Sequence, residues 1–241
     1  MFLPLKDENP SSSKPYMVYL LVLINVVVFL YEISLTPLDL AKLFSVYGII
    51  PYEYTHFHDL GIPSAIPINL LTAMFLHGGW MHLIGNMLYL WIFGDNVEDA
   101  FGHFNFLKFY IISGLMASFT HIIFTPNSDV PMIGASGAIS GVLGAYFILY
   151  PHARILTLVP AFFWYRLVYF RAYVYLGLWF VIQLIFSALD TGGVAWFAHI
   201  GGFVVGVIYA LIYKRRKEKE MRMRQEIRFI PFEDEWDDDF F

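Results

Sequence analysis

Apolar residues run in long blocks along this chain, separated by short polar or proline-marked breaks. The first block, Met17 to Ile33, follows a polar start ending in Ser11-Ser12-Ser13-Lys14-Pro15. Five more lie near Trp80 to Phe93, Phe104 to Phe124, Ile133 to Tyr150, Tyr173 to Leu189 and Trp196 to Tyr213. A helix of about 20 apolar residues crosses a bilayer, and a slightly shorter one does so with little tilt. The pattern therefore predicts six membrane-spanning helices in an all-α bundle. A secretory signal peptide competes for the first block, but that block exceeds the usual core of about 7–15 residues and no small-x-small site follows it. Ile155 to Phe170 is also apolar, yet Pro160, Arg166 and then Arg171 break it, so it reads as an interfacial loop rather than a seventh span. Between the first two blocks, Ser34 to Pro67 reads as a long loop marked by Pro37, Gly48, Pro51, Gly61, Pro63 and Pro67. Its aromatics Phe44, Tyr47, Tyr52, Tyr54 and Phe57 suit a membrane surface.

Composition agrees: 58% of the 241 residues are hydrophobic and 15% charged, against roughly 25% charged in soluble domains. The absence of cysteine removes disulfides, thiolate metal sites and a cysteine nucleophile, which leaves an oxygen or an amine for any covalent chemistry. The expected layout is a tail over 1–15, a membrane domain over 16–213 and a second tail over 214–241. Six spans put both termini on one side. With that side cytoplasmic, fourteen of the fifteen basic residues fall there, and only Lys42 lies outside, as the positive-inside rule requires. The basic run Lys214 to Arg228 reads as a stop-transfer anchor beside anionic headgroups. The acidic stretch Glu233 to Asp239, interleaved with aromatics, reads as a solvated segment open to a partner. The net charge of -5 collects in that region and points to no nucleic acid.

Polar side chains at membrane depth cost a few kcal/mol each, so they argue for a cavity or a site. Those singled out are His77, His82 and Asn86 around the second block, Ser136 and Ser140 at the start of the fourth, and His199 in the sixth. Gly134-Ala135-Ser136-Gly137 lets the backbone turn sharply before a helix and present the Ser136 hydroxyl. Gly137 and Gly141 form one small-xxx-small face, and Gly202 and Gly206 another. If these faces meet, His199 comes within hydrogen-bond reach of Ser136 and acts as general base and then general acid. No carboxylate is well placed to orient the histidine, since Asp190 precedes the sixth block by a loop, so the expectation is a dyad. His82 and Asn86, at i and i+4, share a helix face and can aim donors at one oxyanion.

These residues resemble the rhomboid family of intramembrane proteases. The segments that carry the resemblance are Phe75-Leu76-His77-Gly78-Gly79-Trp80-Met81-His82-Leu83-Ile84-Gly85-Asn86, Gly134-Ala135-Ser136-Gly137 and Ala198-His199-Ile200-Gly201-Gly202. The resemblance implies a Ser136–His199 dyad, oxyanion donors His82 and Asn86, a structural His77, and a structural turn at Glu98-Asp99 and Gly102-His103. It further implies cleavage of single-span membrane substrates near the bilayer surface, after a small residue in many cases. Two departures stand out. Ser140 occupies a position where some members carry an aromatic against the histidine, so something else must hold His199. The first loop lacks the Trp-Arg pair of some members, which leaves its docking open. Ser140 is also a competing nucleophile one turn from Ser136.

The expected activity is thus an intramembrane serine endopeptidase without cofactor or metal, in a prokaryotic cell membrane with both termini cytoplasmic. The main rival is a catalytically inactive rhomboid-like protein that binds membrane clients. A transporter would want charged or amide residues along a pore. A metalloprotease would want His-Glu-x-x-His, which is absent; His56 and His58 read as surface residues. The soluble hydrolase motif Gly-x-Ser-x-Gly fails at Ala138.

Overall fold

In a computed structural model of the protein, residues 2–56, 68–161, 164–189 and 193–228 are described. Phe57, His58, Asp190 and the acidic stretch from Glu233 to Asp239 lie outside the described residues. In chain order the elements are β1 (Leu3–Asp7), α1 (Tyr16–Glu32), α2 (Pro37–Tyr47), α3 (Pro51–Thr55) and α4 (Asn69–Thr72), with a 3-10 turn over Ala73–Phe75. There follow α5 (Trp80–Phe101), α6 (His103–Phe124), α7 (Ser136–Leu149), β2 (Arg154–Ala161), β3 (Trp164–Arg171), α8 (Ala172–Ala188) and α9 (Trp196–Arg228). Each expected apolar block is a helix. By length and composition, α6 and α9 are long and apolar enough to cross a membrane, while α1, α7 and α8 are shorter apolar helices.

The fold is mostly helical but not all-α. The expected interfacial loop over 155–170 is instead the hairpin β2–β3, and β1 adds to it to give an antiparallel sheet of order β1-β2-β3. Runs such as Ile155-Leu156-Thr157-Leu158-Val159 and Leu167-Val168-Tyr169-Phe170 are rich in β-branched and aromatic residues, which suits strands. Pro160 falls near the hairpin end, where a missing N–H is tolerated. The N-terminal residues are therefore part of the fold. The basic run from Lys214 is likewise structured, as a continuation of α9.

Helix α7 is the axis: every side from Gly137 to Tyr146 is buried, with α5, α6, α8 and α9 around it. The outer helices bury one stripe only. On α1 the stripe is Val18, Leu21, Asn25, Phe29 and Glu32, spaced by three or four residues, whereas Leu20, Leu23, Val27 and Leu30 are exposed. An apolar exterior of this kind suits lipid rather than water.

Pro15 gives the start of α1 no side-chain cap, and a carboxylate from α5 serves instead. Glu98 accepts from Met17 N–H at 2.9 Å and Val18 N–H at 2.8 Å, where negative charge is favoured. Glu98 also meets His103 Nδ1 at 2.5 Å, and Asp99 accepts from the Ser12 and Ser13 backbone. The expected Glu98-Asp99/Gly102-His103 turn thus ties α1, α5 and α6 together.

Asp7, on the bundle side of β1, accepts a 2.5 Å hydrogen bond from Tyr146. Burial pushes its carboxyl up to about 6, outweighing the lowering effect of that hydrogen bond. The folded state therefore binds this proton more tightly than the detached strand does. The resulting stabilisation is complete below the ordinary carboxylate value and is lost as pH rises through about 6. Amide exchange of residues 3–7, corrected for its intrinsic pH dependence, is expected to lose protection between about pH 4 and about pH 7. Asp7→Asn should abolish that trend; protection that stays flat in the wild type would contradict it.

Candidate active site

The segment before Ser136 is held extended from two sides. Ile49 and Met132 exchange backbone hydrogen bonds of 3.0 and 2.7 Å, and Gly134 N–H donates to Ala73 O at 2.8 Å. The first of these docks the long loop without a Trp-Arg pair. Gly134 has φ +122°, a region that favours glycine, and Ser136 opens α7 immediately after it.

The two glycine faces meet. A methyl built on Gly202 would collide with Gly137 O, and one on Gly206 with Gly141 O, so α7 and α9 touch backbone to backbone at the level of the serine. This closeness brings His199 Nε2 to 2.8 Å from Ser136 Oγ. Ser140 Oγ is instead buried and donates to Ser136 O at 2.7 Å, which turns it away from that role.

The group that holds His199 is one the sequence reading passed over. Gln183, buried on α8, lies with Oε1 2.8 Å from His199 Nδ1. Its Nε2 donates to Trp179 O at 3.2 Å, which fixes the amide with its oxygen toward the histidine. An oxygen can only accept, so His199 Nδ1 carries the proton and Nε2 is the lone pair facing Ser136 Oγ–H. Trp179 and Trp196 flank the imidazole at 6.0 and 6.1 Å between ring centroids. His199 is thus held by Gln183 and two rings without an aromatic at the Ser140 position. The signal was present in the sequence: Gln183 is an amide inside an otherwise apolar run.

A second network sets His82 and Asn86. Gly78 N–H donates to His82 Nδ1 at 3.3 Å, which leaves the His82 proton on Nε2. His77 Nδ1 meets Phe75 O at 3.3 Å, and its Nε2 accepts from Asn86 Nδ2 at 3.0 Å; one Asn86 amide hydrogen remains for another acceptor. Glu32, buried at the end of α1, accepts from His77 N–H at 3.1 and 3.3 Å and pins this loop. The free donors converge: a methyl on Gly134 would lie 2.7 Å from His82 Nε2 and 3.6 Å from Asn86 Nδ2. Both donors thus border the turn that presents Ser136. His77 is buried. His56 stacks on Tyr52 away from this group.

A cavity of about 390 Å³ adjoins the site, lined by Gly78 and His82 on one side and Ala195, Trp196 and Phe197 on the other, with His121 and Ser128 between. It shares Met132, Ile133 and Ala195 with a small pocket that touches Ser136.

The sequence is similar to those of several known proteins. The chain is 32% identical over 164 residues to the mitochondrial rhomboid protein 1 of Saccharomyces cerevisiae, covering 65% of this chain and 45% of that one. It is 45% identical over 76 residues to the rhomboid protease GluP of Bacillus subtilis, covering 32% and 14%. It is 30% identical over 138 residues to the chloroplastic rhomboid-like protein 11 of Arabidopsis thaliana, covering 57% and 43%. The matches span less than half the length of each relative. Residues 66–216, which hold His82, Asn86, Ser136, Gln183 and His199, match the Rhomboid domain, and the chain therefore belongs to the rhomboid family of integral membrane proteins.

Proposed function

We propose that the chain is an intramembrane serine endopeptidase built on six spans, α1 and α5 to α9, over residues 16–213. The observation that carries this reading is the 2.8 Å contact between His199 Nε2 and Ser136 Oγ, with the histidine oriented by Gln183. Ser136 Oγ attacks the scissile carbonyl while its proton passes to His199 Nε2. The developing oxyanion is met by His82 Nε2–H and Asn86 Nδ2–H. Collapse expels the amine, protonated by His199, and leaves an acyl-Ser136. Water from the adjoining cavity, deprotonated by His199, then releases the carboxylate product. No metal or cofactor takes part.

The substrates in this reading are single-span membrane proteins cut where their helices unwind near the outer surface, since Ser136 starts α7 at the end opposite the termini. The asymmetry of basic residues supports cytoplasmic termini. A prokaryotic cell membrane is part of this proposal, the matched relatives being both bacterial and mitochondrial. The test is cleavage of a single-span substrate in lipid by purified protein. Wild type should cut, and Ser136→Ala and His199→Ala should each lose at least about 10³-fold in kcat. Wild type inert toward several such substrates would overturn the reading in favour of a client-binding protein.

A further inference from the structure

The sheet has two unlike faces. Strand pairing puts Ile155, Thr157, Val168 and Phe170 on one side; Ile155 and Thr157 are fully buried against the bundle, and Phe170 packs on its core. The pairs Leu156–Tyr169, Leu158–Leu167 and Pro160–Tyr165 lie on the other side. That side is uncovered: Leu167 is 60% and Tyr165 72% exposed. At its bundle end the same face carries the pair Arg154–Arg171, with Lys6 paired beside Leu156. Arg154 has a 3.8 Å contact to Glu8, and Arg171 donates to His152 O.

We propose that this face lies on the anionic headgroup surface of the leaflet facing the termini, with its tyrosines and leucines dipping toward the acyl boundary. Two observations favour lipid over a soluble partner. β3 ends at Arg171 and α8 begins at Ala172 without an intervening residue, so the uncovered apolar surface continues onto exposed Tyr173, Val174, Leu178 and Val181. The basic residues border the apolar ones on one face, which is the arrangement that binds an anionic interface. The proposal rests on the span arrangement given under Proposed function.

The chain has no cysteine, so Leu167→Cys provides a single labelling site for an environment-sensitive fluorophore. The labelled full chain is placed in lipid nanodiscs, neutral or containing anionic lipid, and quenched with acrylamide, whose neutrality avoids bias from lipid charge. The expected result is about threefold less quenching in anionic than in neutral discs, reversed by Lys6→Gln with Arg154→Gln. Equal quenching in both lipids, at the level of a label at Lys219→Cys on the basic end of α9, overturns the proposal. Shielding that persists in neutral lipid and grows with protein per disc also overturns it, in favour of a second copy. Substrate cleavage by the same sample separates the outcomes: with cleavage intact, failure belongs to the docking face alone.

Discussion

Replacing Gln183 with leucine is expected to lower kcat about 10²-fold while KM stays within about twofold. The leucine keeps the volume within α8 but removes the oxygen 2.8 Å from His199 Nδ1. The histidine then loses its fixed tautomer, and a fraction of molecules present Nε2–H, rather than a lone pair, to Ser136. It also leaves a donor unpaired among apolar groups, which favours rotation of the ring away from the serine. Gln183→Glu keeps an acceptor in place and should retain most of the activity at alkaline pH. A purely structural role predicts instead that both variants lower thermal stability while the active fraction keeps its kcat. Leucine activity within twofold of wild type would remove Gln183 from the mechanism.

The second large effect is expected at Gly134. An alanine there must adopt φ +122°, which L side chains rarely do, and its methyl would press on His82 Nε2. Either the turn relaxes and Ser136 shifts, or His82 is pushed off the oxyanion position. Both routes remove stabilisation made only in the transition state, so kcat should fall about 10²–10³-fold with Ser136 and His199 still present. Gly85→Ala on α5, where a methyl meets nothing within 4 Å, is the matched control and should leave activity near wild type. Equal activity of the two variants would show that the turn does not set the geometry.

Much of this site was legible before any coordinates, because polar groups in an apolar chain are few and glycine spacing limits how helices meet. The Gly137/Gly141 and Gly202/Gly206 faces implied the approach of Ser136 and His199. The His82–Asn86 spacing implied a shared helix face. Gln183 was missed because attention went to carboxylates as partners of the histidine, although an amide oxygen serves the same geometric purpose at lower desolvation cost. Glu32 was missed for the opposite reason: at the end of the first apolar block it reads as an interfacial charge, while its partner is a backbone N–H of residue 77, which no pattern displays. The hairpin differs from the expected loop because Pro160 and Arg166 break the apolar run without ending its order, and the Leu167 to Phe170 stretch carries a strand composition. Its pairing with β1 depends on residues about 150 positions apart, beyond the reach of local periodicity.

The most direct test of the central claim is labelling with a fluorophosphonate, which forms a covalent bond only with a serine activated by a base. In lipid, the wild-type protein should be labelled at Ser136, as mapped by mass spectrometry of the digest, and labelling should vanish in His199→Ala. Label on Ser140, or none on a folded wild-type protein, would contradict the account.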